Sequence, residues 1–152
     1  MPAEVGAPAP SFSLHDQDGN TVTLDDLTNR KTLLVFIPFP FTGICEGELC
    51  EIRDNSDDLS GLDANVVVIT CDTRFSNKKW ADEQGFDFPI LSDFWPHGQT
   101  AREYGCFNDE MGVASRATYV LDQSGVVREV IATDALKTPR EFQRYGEALQ
   151  RL

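Results

Sequence analysis

KTLLVFIPFPFTGICEGELC, residues 31–50, decides how the rest of the chain is read. Lys31 to Phe39 is a continuous apolar run, as expected of a strand buried on both faces of a sheet. Pro38 and Pro40 then end regular pairing, because proline has no N–H to donate and its φ is fixed. After Gly43, from Cys45 to about Leu59, the apolar residues Leu49, Ile52 and Leu59 recur at helical spacing among charges. A second run, NVVVIT at residues 65–70, repeats the buried-strand pattern. Strand, helix and strand in this order make a parallel unit with a right-handed crossover. In open α/β sheets the reactive loop lies at the carboxyl end of a strand, where Pro38 to Cys45 falls.

Working outward, SFSLHDQDGNTVTL (11–24) alternates apolar and polar residues around Asp18-Gly19, the signature of a β-hairpin. Ser76 to Gly85 reads as a capped helix ending at glycine, and FPILSD (88–93) as a short strand followed by a helix near Thr100 to Tyr104. Ala117 to Asp122 and Val126 to Ala132, joined by Gln123-Ser124-Gly125, form a second hairpin. Thr138-Pro139-Arg140-Glu141 reads as a capping box with proline at the first helical position. The last helix then buries Phe142, Tyr145, Leu149 and Leu152. With no repeat or linker, residues 1–152 are expected to form one α/β domain. It would have a central mixed β-sheet flanked by helices and an N-terminal hairpin, a thioredoxin-like arrangement.

A net charge of −12 argues against a nucleic-acid partner, since a polyanion is repelled by such a surface. No stretch approaches the roughly 18 apolar residues of a membrane span, and MPAEVGAPAPSF lacks the basic and apolar regions of a signal peptide. No membrane partner is expected, and a cytoplasmic location is. There, four cysteines stay reduced, which points to thiol chemistry rather than a disulfide framework.

Cys45 is the thiol the local pattern favours. A cysteine in the first turn of a helix faces unpaired backbone N–H groups and the positive end of the helix dipole. Both favour the thiolate, which is the nucleophile. Thr42 lies three residues earlier, within reach of the sulfur or of an oxygen bound to it. Pro38 and Pro40 stiffen and desolvate the loop, suiting a preformed pocket. Cys71 and Cys106 sit in apolar settings and read as packing residues.

Pro38, Thr42 and Cys45 match the Pro-x-x-x-Thr-x-x-Cys motif of the peroxiredoxins, and the chain resembles that family from Val5 through the second hairpin. FTGICEGEL and SDFWPHG look like the alkyl hydroperoxide reductase E subgroup. The resemblance implies a thiol peroxidase with no cofactor and no metal. Its Cys45 would attack a hydroperoxide and become a sulfenic acid. It also implies an arginine beside the sulfur. Arg116 occupies the matching position, and Arg53, eight residues after Cys45, competes with it. Glu48 matches a glutamate common in the family and would orient the arginine. A homodimer is a further possibility, with Phe39, Phe41, Phe94 and Trp95 flanking the site.

Cys50 departs from that subgroup, and Cys-x-x-x-x-Cys instead resembles the Q-type (bacterioferritin-comigratory) peroxiredoxins. Cys50 would then be the resolving thiol, with thioredoxin or another thiol donor reducing the Cys45–Cys50 disulfide. Residues five apart in an intact helix are separated by about 7.5 Å of rise and about 140° of rotation, so bonding requires the helix to unwind there. The alternatives are a one-cysteine enzyme resolved by an external thiol and a non-enzymatic redox sensor. A thioredoxin-type reductase would need Cys-x-x-Cys, which the chain lacks. Zinc would need short paired spacings that Cys45, Cys50, Cys71, Cys106, His15 and His97 do not provide. His15 is expected at the surface, and His97 is expected to fix a loop.

Overall fold

The computed structural model describes residues 3–133 and 138–152. Seven strands form one mixed sheet in the order β2-β1-β5-β4-β3-β8-β9. The N-terminal hairpin is β1 (Ser13–His15) and β2 (Thr21–Thr23). Gly19 takes φ 84° at its turn, and Asp16 Oδ1 accepts from the backbone N–H groups of Asp18 and Asn20. The central strands β3 (Lys31–Phe36) and β4 (Ala64–Thr70) run parallel, as does β5 (Ile90–Ser92) beside β4. On the other side of β3, β8 (Ala117–Leu121) and β9 (Val127–Ala132) add antiparallel pairing.

The apolar runs divide between the faces by simple alternation. Leu33, Val35 and Ile37 point into one core with α1 (Gly43–Asp54), α3 (Arg74–Gln84) and α5 (Gln143–Gln150). Leu34, Phe36, Val67 and Ile69 point into the other, against α4 (Gln99–Tyr104) and the N-terminal segment around Phe12. Helices thus cover both faces of a thioredoxin-like mixed sheet, as the sequence predicts.

Several boundaries differ from expectation. The helix expected over residues 45–59 begins at Gly43 and breaks at Asn55, with a short α2 (Ser56–Ser60) after it. α3 starts at Arg74 because Thr73, not a later residue, accepts from the Ser76 N–H as N-cap. A two-stranded ribbon, β6 (Phe107–Asn108) with β7 (Val113–Ala114), was not legible as strands. The expected capping box at Thr138 to Glu141 does not form, and α5 starts only at Gln143. The reason is Arg140, whose backbone N–H and side chain both bond to Glu48 across the core and hold this stretch out of helical register.

Candidate active site

β3 ends at Phe36, and the chain crosses the carboxyl edge of the sheet through Ile37 to Phe41 into α1. Pro38 and Pro40 are buried, while Phe41 is 45% exposed. Phe41 holds φ 68°, a left-handed conformation that a bulky side chain rarely adopts. Such strain persists only where the surroundings impose it. Here its ring lies against Trp80 of α3, with centroids 5.9 Å apart.

Thr42 stands at the N-cap of α1, but its side chain does not cap the helix. Its Oγ1 donates instead to the Phe39 carbonyl at 2.6 Å, closing the loop on itself. Cys45 follows in the first turn, where the free backbone N–H groups gather. The proline loop was expected to shield this sulfur from water and to suit a preformed pocket. The structure leaves Cys45 0% exposed, packed among Leu33, Val35, Ile37 and Leu49.

One turn further along α1, Glu48 is buried, with its side chain 5% exposed. Two cations from distant parts of the chain meet its carboxylate. Arg116, just before β8, donates from Nη1 to Oε1. Arg140 donates from Nε to Oε2 at 2.8 Å and from Nη2 to Oε1 at 2.9 Å, a two-pronged pairing. Arg140 Nη1 also reaches the Phe36 carbonyl at 2.7 Å and Thr118 Oγ1 at 3.2 Å, which ties this cluster to β3 and β8.

Burial alone would push the Glu48 carboxyl up. The bonds and charge of Arg140, reinforced by Arg116, outweigh that and hold it below the usual carboxylate range. Burial alone would lower the Arg140 pKa, but its hydrogen bonds and charge pairing with Glu48 outweigh that and raise it. Glu48 and its two guanidinium partners lie one turn from Cys45 on α1. Guanidinium donors held in place in this way can stabilise negative charge developing on an oxygen as it leaves a bond.

The structure thus brings together Cys45, Glu48 and Arg116, with Pro38 and Thr42 in the adjoining loop. Arg140 was missed. Its sequence signal was a glutamate on the buried face of α1, whose carboxylate has more lone pairs to satisfy than one arginine reaches. Arg53, the competing arginine, points the other way. Its Nε pairs with Asp54 at 2.9 Å, and Nη1 donates to the Gln84 carbonyl at the end of α3. Cys50 lies on that same side, half-buried, with its thiol donating to Gln84 Oε1 at 3.7 Å. Cys45 and Cys50 share one intact helix, and all four cysteines are free.

Burial pushes the thiols of Cys71 and Cys106 up to about 12, with the Asp93 carboxylate adding to it in each. They sit in the core on the opposite face of the sheet. His15 is exposed, and His97 lies between the carbonyls of Phe94 (3.1 Å) and Gly112 (2.7 Å), bracing a loop. Among the described residues, no helix is long and apolar enough to cross a membrane.

A cysteine in the opening turn of a helix, at the carboxyl edge of a thioredoxin-like sheet and one turn from a buried glutamate shared by two arginines, defines a thiol-based oxidoreductase. A sequence profile of the AhpC/TSA family matches residues 5–130, and the chain belongs to that family as a peroxiredoxin-type oxidoreductase. Alkyl hydroperoxide reductase E of Mycobacterium tuberculosis is 46% identical over 125 residues, 82% of each chain. A thiol peroxidase of Streptococcus pneumoniae is 32% identical over 142 residues, covering 92% of this chain and 85% of that one. Among solved structures, the peroxidoxin BcpB of Mycobacterium tuberculosis superposes with a TM-score of 0.86 at 27% identity, covering 99% of this chain and 98% of that one.

Proposed function

We propose that the protein reduces hydrogen peroxide and organic hydroperoxides through Cys45. The observation that carries this reading is the buried Glu48 carboxylate shared by Arg116 and Arg140, one turn from a cysteine at a helix N-terminus. The Cys45 thiolate attacks the terminal peroxide oxygen and the O–O bond breaks. The departing oxygen takes a proton and leaves as water or alcohol, and Cys45 becomes a sulfenic acid. Arg116 and Arg140 supply the positive field that steadies charge on the leaving oxygen, and Glu48 orients both guanidinium groups. Pro38 and Thr42 shape the approach to the sulfur.

Cys50 then attacks the sulfenic sulfur. The S–O bond breaks, water leaves with the Cys50 proton, and a Cys45–Cys50 disulfide forms. Thioredoxin or a similar dithiol donor reduces it. Because α1 is continuous through both residues, this step requires its first turns to unwind. The same continuity, with Cys50 held on α3, supports a second reading in which an external thiol resolves Cys45 directly. We also propose one domain over residues 1–152, residence in the cytoplasm, and a homodimer through the exposed Phe41, Phe94 and Trp95. Neither nucleic acid nor a membrane has a place in this reading.

The test is peroxide consumption with thioredoxin by the parent, Cys45→Ser and Cys50→Ser. Cys45→Ser should be inactive. Cys50→Ser should react once and recycle poorly. Full recycling by Cys50→Ser would establish the external-thiol reading instead.

A further inference from the structure

We propose that Gln84 is a positioning residue that latches the resolving thiol to α3 and so sets how fast Cys45 is resolved; this rests on the reading that Cys50 resolves Cys45. Three residues on one face of α1, namely Glu46, Cys50 and Arg53, converge on Gln84 at the end of α3. The Cys50 thiol donates to Gln84 Oε1 at 3.7 Å, and Gln84 Nε2 donates to Glu46 Oε1 at 3.5 Å. The Gln84 main-chain carbonyl accepts from Arg53. The Trp80 indole N–H, one turn before Gln84, donates to the same Glu46 oxygen at 2.9 Å.

The spacing of these contacts matters. Glu46 lies in the first turn of α1, next to Cys45, and Arg53 lies in the last. The latch therefore spans the stretch that must unwind before the two sulfurs can meet. The bonds made by Glu46 and Cys50 are lost when the first turns of α1 unwind, so each opposes the opening. While it holds, the Cys45 sulfenic acid stays exposed to a second peroxide molecule, which carries it to the irreversible sulfinic acid. Gln84 then decides between resolution and overoxidation without touching the peroxide.

Rapid-mixing kinetics on the full chain, with the disulfide confirmed by peptide mapping, tests this. In Gln84→Ala, Cys45–Cys50 disulfide formation should speed up about two- to tenfold, the range that one or two net hydrogen bonds set. The rate of sulfenic acid formation should be unchanged, and more peroxide should be needed for half-conversion to the sulfinic acid. Gln84→Glu keeps an acceptor for Cys50 but places a carboxylate against Glu46, with Arg53 the facing cation on α1. Its resolution should exceed the parent's at pH 8 and approach it as the new carboxyl is protonated, a pH profile that loss of packing alone would not produce. Disulfide formation at the parental rate in both variants overturns the latch while leaving Cys50 as the resolving thiol. Absence of a Cys45–Cys50 disulfide in the oxidised parent removes both.

Discussion

The two faces of the sheet each bury cysteine, and they treat it in opposite ways. Cys45 on one face is 0% exposed, and Cys71 and Cys106 on the other are 4% and 6% exposed, so burial does not separate them. Charge does. Cys45 sits at a helix N-terminus, one turn from Glu48 and the two arginines that pair with it. Cys71 and Cys106 meet the buried Asp93 carboxylate, which adds to the cost of ionising a desolvated thiol. Desolvation disfavours a thiolate, a carboxylate nearby adds to that cost, and nearby cations oppose it.

The largest effect should come from exchanging the cysteines themselves. Cys45→Ser should lose all peroxide turnover, whereas Cys71→Ala and Cys106→Ala should keep it; loss of turnover in either of the latter would break the contrast. Alkylation at pH 8 sharpens it, since thiols pushed up to about 12 ionise to only about one part in ten thousand there. Mass spectrometry should find Cys71 and Cys106 unlabelled until the protein is unfolded.

Arg140→Met comes next. It leaves Glu48 with one cation, so the peroxide rate constant should fall about a hundredfold, as when a preorganised charge donor is removed. Breaking a buried pair by removing one partner should also cost about 3–5 kcal/mol in denaturant unfolding. An unchanged rate with lowered stability would reduce Arg140 to a structural role.

Glu48 supplies a smaller, pH-dependent effect. Its folded pKa is lowered, so its contribution is complete above its unfolded value of about 4.3 and fades as pH falls through the folded value. Thermal unfolding from pH 7 to 3 should therefore show a shallower acid-side loss in Glu48→Gln than in the parent. The smallest effect belongs to the opposite face. Asp93 accepts from the Thr100 and Ala101 N–H groups at 3.0 and 2.9 Å and caps α4. Asp93→Ala should cost about 2 kcal/mol of stability with no change in peroxide kinetics.

The parts of this molecule that were legible in sequence are those written locally. Continuous apolar runs at residues 31–39 and 65–70 carry the sheet, and a strand, a proline loop and a helix start carry Pro38, Thr42 and Cys45. Arg140 was hidden for the opposite reason. Thr138-Pro139-Arg140-Glu141 satisfies a helix-start pattern, yet the pull of a carboxylate on another element overrides that local preference. The break at Asn55 and the β6–β7 ribbon were illegible because neither carries a strong periodic signal. Arg116 was preferred to Arg53 on the family resemblance alone, whereas the spacing along α1 spoke for Arg53; the fold turns the first toward Glu48 and the second toward Gln84.

A sulfur with no exposed surface has a kinetic meaning. Any oxidant arrives through a transient breach in the surrounding packing, so the observed rate is the intrinsic reactivity multiplied by the fraction of time that breach stands open. Small peroxides need only brief, narrow openings, whereas bulky electrophiles wait for wider and scarcer ones. Size discrimination is then built into the doorway rather than into the chemistry behind it.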